Sequence, residues 1–145
     1  MNNILLPYRW KLLGISLTVI GMVLAIVFFS LDFRLKIPVF AVYSSFLEAK
    51  MFVTFQTNFA DEIIMILLLC GLGLIIFSKE KTEYEGYDLI RLKALAKAVL
   101  VNICFLLFAV LFIYGSGFIA ILVINIFSLS LLYLLFFYKA KITNK

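Results

Sequence analysis

Chemistry in this sequence has to come from residues other than histidine, because the chain contains none. Histidine-ligated haem, the usual catalytic zinc sites and histidine acid/base catalysis are therefore excluded within the chain. The two cysteines, Cys70 and Cys104, each lie about 10–12 Å from the charged end of an apolar run at a helical rise of about 1.5 Å per residue. Two thiolates could bind a soft metal, but without a third cysteine we expect packing as small apolar residues. We predict no metal site and no cofactor.

Uncharged polar residues inside the apolar runs are the second possible source of chemistry. They are Ser16, Thr18, Asn102, Asn125, Ser128 and Ser130. Asn102 and Ser130 both come out about 21 Å from the turn near Ser116. We expect a structural hydrogen bond between them, worth roughly 0.6 kcal/mol in lipid. The functional alternative is a pore between protomers, lined by Ser16, Thr18, Asn102, Asn125 and Ser130.

A charged segment, Lys79–Lys97, separates two apolar runs and holds nine of the 21 charged residues. Its mixed signs are typical of a solvated loop that leads into a helix, and the alternative is a docking surface for a partner. The candidate docking residues are Tyr84, Tyr87, Arg91, Lys93 and Lys97. The chain has no glycine-rich phosphate loop and no carboxylate pair arranged for acid/base catalysis, so we predict no enzyme activity.

The composition of the chain indicates whether these residues are surrounded by water or by lipid. The chain of 145 residues is 66% apolar and 14% charged, with a mean hydropathy of +1.17. Soluble domains are about 45–50% apolar and about 25% charged, so this is a membrane composition. One domain with four spans of about 20 residues fits the length.

The apolar runs predict spans at about 12–31, 61–78, 94–114 and 118–138, in an all-α, four-helix transmembrane bundle. Gly14, Thr18, Gly21 and Ala25 lie on one stripe of the first helix, which indicates either a close helix contact or ordinary glycine usage. The third helix should begin near Asp88.

Between the first two spans lies an aromatic-rich connection that is unlike water-exposed coil. Residues 37–57 form either a β-hairpin or an interfacial amphipathic element, and we expect a small extramembrane cap.

Orientation follows from the lysines and arginines. With four spans, one side carries ten positive residues: Arg9, Lys11, Lys79, Lys81, Arg91, Lys93, Lys97, Lys139, Lys141 and Lys145. The other side carries three: Arg34, Lys36 and Lys50. The positive-inside rule then places both termini in the cytoplasm. The same rule explains the net charge of +5, so we expect no nucleic-acid partner.

Three stretches carry a resemblance: LKIPVFAVYSSFLE at 35–48, TNFADEI at 57–63, and FSKEKTEYE with IRLKAL within 77–95. Together they resemble an uncharacterised group of small four-span bacterial membrane proteins. The resemblance implies the four-helix topology and a bacterial inner-membrane location, and no site residues.

Two functional hypotheses remain from the sequence. The first is a non-enzymatic regulatory or accessory subunit that docks a membrane or cytoplasmic protein through residues 79–97. The second is a small transporter or channel built from several copies of the chain. Both assume the lipid bilayer as the surrounding medium.

Overall fold

The computed structural model describes residues 5–31, 35–44 and 50–143. Within these ranges the chain forms four helices and a β-hairpin. The elements are α1 (Tyr8–Leu31), β1 (Lys36–Ser44), β2 (Lys50–Asn58), α2 (Ala60–Ile76), α3 (Tyr87–Phe112) and α4 (Ser116–Thr143). Arg34 and Lys145 of the charge count, and residues 45–49 of the expected cap, lie outside the described residues.

Three of these helices are long and apolar enough to cross a membrane: Tyr8–Leu31, Tyr87–Phe112 and Gly117–Thr143. Most of their large apolar side chains are exposed, as at Ile26, Leu100 and Leu135. In lipid such exposure carries no penalty. Helix α2 has 17 residues, or about 25 Å, which is shorter than the roughly 30 Å of a hydrocarbon core.

Two glycines with positive φ delimit α3. Gly86, at φ 102°, directly precedes Tyr87, the first residue of α3. The helix therefore begins one residue before the predicted start at Asp88. At its end Ile113 is extended, with φ −126° and ψ 125°, and Gly115, at φ 71°, turns the chain toward α4. Only glycine adopts such angles without strain, so these residues fix where the α3–α4 hairpin begins and turns.

Lys36–Ser44 and Lys50–Asn58 form the two strands of the β-hairpin and not an interfacial helix. The two strands are antiparallel, with Val39 opposite Phe55 and Ala41 opposite Val53. β-branched and aromatic residues dominate both strands, as strand propensity requires. Phe52, at φ 54°, is a non-glycine residue in the left-handed region.

The chain divides into two compact units, and the division falls within α1 and α2. The first contains the described residues up to Ile15 and from Gly71 onward, and the second those between Ser16 and Cys70. In the first unit α3 packs on α4 through small residues: Ala94 and Ala98 are buried with Tyr133 and Phe137. Leu89, Leu92 and Leu95 face outward.

Helices α1 and α2 approach closely at two glycines, which confirms the close contact that the stripe indicated. In the first unit, a Cβ on Gly14 would lie 2.8 Å from the Gly71 carbonyl oxygen and 2.9 Å from Leu74 Cβ. In the second unit, a Cβ on Gly21 would lie 3.0 Å from Leu68 Cδ2. Close backbone approach of this kind is how helices associate in lipid.

A buried ion-pair cluster as the candidate functional site

The cluster is positioned by a short backbone bridge in the first unit. The Leu6 amide donates to the Phe77 carbonyl at 2.8 Å, and the Lys79 amide donates to the Leu6 carbonyl at 2.9 Å. The chain leaving α2 is thereby held beside the chain entering α1. As a result Glu80 faces Lys11, although 69 positions separate them in sequence.

Glu80 is held between two lysines. Lys11 Nζ pairs with its Oε1, and Lys141 Nζ, from the end of α4, lies 2.8 Å from its Oε2. The Lys11 residue is 5% exposed, and its ammonium lies 5.1 Å from the centroid of the Tyr138 ring. One carboxylate therefore joins the start of α1 to the end of α4.

The pKa of Glu80 reports this environment. Burial alone would raise the pKa of the carboxyl, but hydrogen bonds and charge attraction from Lys11 and Lys141 outweigh it. The pKa of Glu80 therefore lies below its ordinary value. The carboxylate therefore stays ionised at neutral pH, and its negative charge pairs with the ammonium groups of Lys11 and Lys141.

Arg91 forms the second half of the cluster. Its side chain is 3% exposed; its Nη1 pairs with Glu83 and lies 3.5 Å from Asp88 Oδ1. Its guanidinium carbon lies 5.6 Å from the centroid of the Phe137 ring, within cation–π range. Glu83 Oε2 also accepts from the Glu80 amide at 2.9 Å. The Arg91 and Glu80 halves are therefore one connected network.

Aromatic rings cover this network. Tyr87 meets Phe137 edge to face, with centroids 6.2 Å apart, and Phe137 stacks on Tyr133 at 6.0 Å and 7°. Desolvation of this kind strengthens the ion pairs but makes loss of one partner costly. The cluster is thus a structural site whose buried ion pairs hold the helix ends together.

The structure divides the five predicted docking residues into two groups. Tyr87 and Arg91 are buried in the cluster, so neither is offered to a partner. Tyr84, Lys93 and Lys97 are exposed. Of these three, Tyr84 lines an open cleft of about 420 Å³, together with Glu83, Glu85, Gly86 and Asp88.

The expectation of a uniformly solvated charged segment is therefore wrong for Glu80 and Arg91. Sequence reasoning missed Lys11, Glu80 and Lys141 as a set, because their contact depends on how distant segments pack. The available signal was that each of these residues lies at the charged end of an apolar run, where the runs of a bundle meet.

The intramembrane polar residues of α3 and α4 bond to one another. Asn125 Nδ2 donates to Asn102 Oδ1 at 3.0 Å, and the Ser128 hydroxyl donates to the same oxygen. The expected partner of Asn102 was Ser130, which lies two residues farther along α4 and about 200° around the helix. Depth alone was insufficient, because helix rotation decides which hydroxyl faces Asn102.

The cysteines do not pack inside the protein as expected, since Cys70 and Cys104 are both exposed with free thiols. Side chains in lipid need no burial in protein. Among residues 5–31, 35–44 and 50–143, no group of three cysteine, aspartate or glutamate side chains could hold a metal ion.

No protein-family model, curated protein or solved structure matches the chain. The resemblance to small four-span bacterial proteins stays a sequence-based expectation.

Proposed function

We propose that the chain is a non-enzymatic membrane protein, an accessory or regulatory subunit that docks a partner protein through residues 79–97. It would lie in a bacterial inner membrane with α1, α2, α3 and α4 as four spans and both termini in the cytoplasm. Ten positive residues against three support this orientation. The 17-residue α2 can span if the bilayer thins locally, at a cost of fractions of a kcal/mol per Å.

The observation that carries the proposal is the combination of a fixed core and an exposed face in one segment. Glu80, Tyr87 and Arg91 are held inside by ion pairs and rings. Tyr84, Leu89 and Leu92 are each more than half exposed, and Lys93 and Lys97 are exposed with them. A surface ordered before binding loses less conformational entropy on docking.

The composition of this face suits a protein partner. Exposed tyrosine and leucine supply apolar contact area, while the lysines and the carboxylate-lined cleft supply charges of both signs. Interfaces combine an apolar centre with a polar rim in the same way. A partner with acidic side chains opposite Lys93 and Lys97, and a basic group for the cleft, would be complementary.

The test is co-purification after gentle solubilisation from the native membrane. The variant Lys93→Glu/Lys97→Glu should lose a stoichiometric partner, because charge reversal opposes an acidic contact surface. The matched control Arg9→Glu/Lys139→Glu reverses two other exposed charges and should retain it. Equal recovery of the partner with both double variants would contradict docking through this face.

A small oligomeric transporter or channel has less support. Asn102 and Asn125, two of its expected pore residues, donate and accept within the α3–α4 pair. Purification of a homo-oligomer with no foreign protein, together with solute flux, would favour it over the accessory role.

A further inference from the structure

A wedge-shaped cavity opens between α1 and α2 in the second unit. The two helices are in close contact at Gly21, where a Cβ atom would lie 3.0 Å from Leu68 Cδ2 and 3.3 Å from Leu67 Cβ. Toward the end of α1 and the start of α2 they leave a cavity of about 290 Å³. Its lining residues are all apolar: Leu24, Val27, Phe28, Leu35, Ala60, Ile63 and Ile64.

One wall of the cavity is fixed by hydrogen bonds at the base of the β-hairpin. The Leu35 amide donates to Asn58 Oδ1 at 2.9 Å, and the Phe59 amide donates to the Leu35 carbonyl at 2.9 Å. These bonds hold Leu35 beside the start of α2 at Ala60. The cavity is therefore bounded by an ordered segment, and an ordered site loses less conformational entropy on binding.

The lining determines what the cavity can hold. A water molecule in a protein cavity needs two to four polar partners, and a cavity lined by apolar side chains stays dry. The occupant must therefore be apolar, and it must be narrow enough to enter between two helices. Sites for drug-sized ligands measure about 300–1,000 Å³, so this cavity suits a segment of hydrocarbon chain better than a large ring system.

The cavity lies at the depth of lipid acyl chains when the ends of α1 and α2 lie at the membrane surface. Residues 24–28 precede Leu31, the end of α1, by about 5–10 Å at 1.5 Å per residue. Ile63 and Ile64 follow Ala60, the start of α2, by about 5–6 Å. Both distances are within half of the roughly 30 Å hydrocarbon core. The molecules that surround the cavity are therefore acyl chains of one leaflet.

The length of α2 also favours an acyl chain at this place. Its 17 residues extend about 25 Å, and a span shorter than the hydrocarbon core thins the bilayer beside it. A chain that bends sideways into the cavity brings its headgroup closer to the membrane centre. This displacement has the direction that local thinning requires.

Charged side chains flank the cavity. Lys36 follows Leu35 and Asp61 follows Ala60 in sequence, and both side chains are exposed. Lys36 is in register with Asn58 of β2, which places it near the start of α2. The rim therefore carries one charge of each sign, complementary to the phosphate and the ammonium of a zwitterionic phospholipid.

We propose that the cavity between α1 and α2 binds one acyl chain of a zwitterionic phospholipid, with the headgroup at Lys36 and Asp61. The inference rests on the part of the proposed function that places α1 and α2 in a membrane, and it is independent of the docking role. The bound chain is enclosed by two helices and Leu35. It therefore exchanges more slowly than the lipid around α3 and α4.

The first experiment is photolabelling of the full chain in vesicles of phosphatidylethanolamine and phosphatidylglycerol. The probe is phosphatidylethanolamine with a diazirine in the upper half of one acyl chain, and labelled residues are identified by mass spectrometry. Ile119 and Leu122 are the control, because both are exposed and lie about 3–8 Å from Gly117, the start of their apolar helix. We expect residues 24–28 and 63–64 to be labelled about fivefold more than these two.

Filling the cavity supplies the second arm of this experiment. Ala60→Phe places a ring in the cavity and should lower the labelling of residues 24–28 to the level of Ile119. Ala120→Phe adds the same ring to an exposed alanine of α4 and should leave that labelling unchanged. Undiminished labelling of residues 24–28 in Ala60→Phe would overturn the inference.

The wild-type protein alone also decides the question. Equal labelling of the cavity and of Ile119 and Leu122 would show ordinary surrounding lipid and overturn the inference. Absence of label from both regions would overturn it together with the membrane placement. The docking role is tested separately by co-purification, so its failure is distinguishable from either result.

A second experiment measures retained lipid and does not depend on the folding of the phenylalanine variant. After washing in mild detergent, the wild-type protein should keep one phosphatidylethanolamine per chain, measured by native mass spectrometry. Lys36→Gln/Asp61→Asn should reduce this occupancy about threefold or more. The control Lys139→Gln/Glu85→Gln changes two exposed charges of the first unit and should retain the lipid. No retained lipid in the wild-type protein, or equal occupancy in both double variants, would refute the assignment.

Discussion

The two units of this chain differ in how far their polar groups are paired within the chain. In the first unit, Glu80 pairs with Lys11 and Lys141, which are 69 and 61 positions away in sequence. Glu83 and Arg91, eight positions apart, pair with each other. In the second unit, the hairpin is formed by adjacent segments, yet its outer backbone edges are unpaired among the described residues. The charged side chains of the first unit are thus paired largely within the chain, whereas the outer edges of the hairpin have no strand partner among the described residues.

This difference indicates where stability and recognition reside. Buried ion pairs are costly when one partner is lost, so the first unit should respond strongly to changes at single charged residues. A free strand edge contributes little until it is paired, so changes there should alter association more than folding. Three sets of substitutions and one change of pH test this contrast.

The largest effect is expected for Glu80→Gln. The substitution leaves Lys11, which is 5% exposed, and Lys141 facing a neutral amide, and breaking a buried pair costs about 3–5 kcal/mol. Unfolding free energy measured by steric trapping in bicelles should fall by about that amount. The control Glu85→Gln, at an exposed position, should change it by less than about 0.5 kcal/mol. Similar losses for both would show that Glu80 is not the node of the first unit.

Acidification should weaken the same node gradually. The pKa of Glu80 lies below the ordinary value of 4.5, so its contribution to stability is fully present above about pH 4.5 and is lost as pH falls through its folded-state pKa. The unfolding free energy of the wild-type protein should decline in that window. The Glu80→Gln variant should show a shallower slope there, and parallel slopes would assign the acid sensitivity to other carboxylates.

Adding one methyl group to each glycine contact compares the packing of the two units. Alanine at Gly14 would place Cβ 2.8 Å from a backbone oxygen, whereas at Gly21 the nearest atom is the flexible end of Leu68 at 3.0 Å. We expect Gly14→Ala to cost about 1–3 kcal/mol, in the range of overpacked cores, and Gly21→Ala clearly less. Gly73→Ala is the control, since nothing lies within 4 Å of its Cβ position. The same assay of unfolding free energy checks all three, and an equal cost at Gly14 and Gly21 would remove this distinction between the units.

Much of the fold was accessible from the sequence because it depends on local patterns. Hydropathy predicted four helices, and β-branched and aromatic runs predicted the hairpin as one of two alternatives. The face of α3 was harder to identify, because Leu95, Val99 and Ile103 recur with helical spacing but are exposed, while Ala94 and Ala98 are buried. In lipid, leucine gains nothing from burial, and small residues form the helix contact.

The cluster itself could not be predicted in the same way. Lys141 reaches Glu80 across 61 positions of sequence, and the Leu6–Phe77 bridge that brings α1 to Glu80 uses backbone groups that every residue has. Local patterns do not encode such contacts. The rotation of α4 that selects Ser128 over Ser130 is likewise a property of packing.

The smallest expected effect concerns the rotation of α4, which places Ser128 and not Ser130 beside Asn102. Asn102→Ala removes the oxygen that accepts from Asn125 and Ser128, but those two residues keep a hydrogen bond from the Ser128 hydroxyl to the Asn125 carbonyl at 3.1 Å. The loss of unfolding free energy should therefore be near the lipid average of about 0.6 kcal/mol and below about 1.7 kcal/mol. Ser130→Ala should have no measurable effect. If Ser130→Ala instead matched Asn102→Ala, the hydroxyl facing Asn102 would be the one that depth alone predicted, and the first unit would be less completely paired than described.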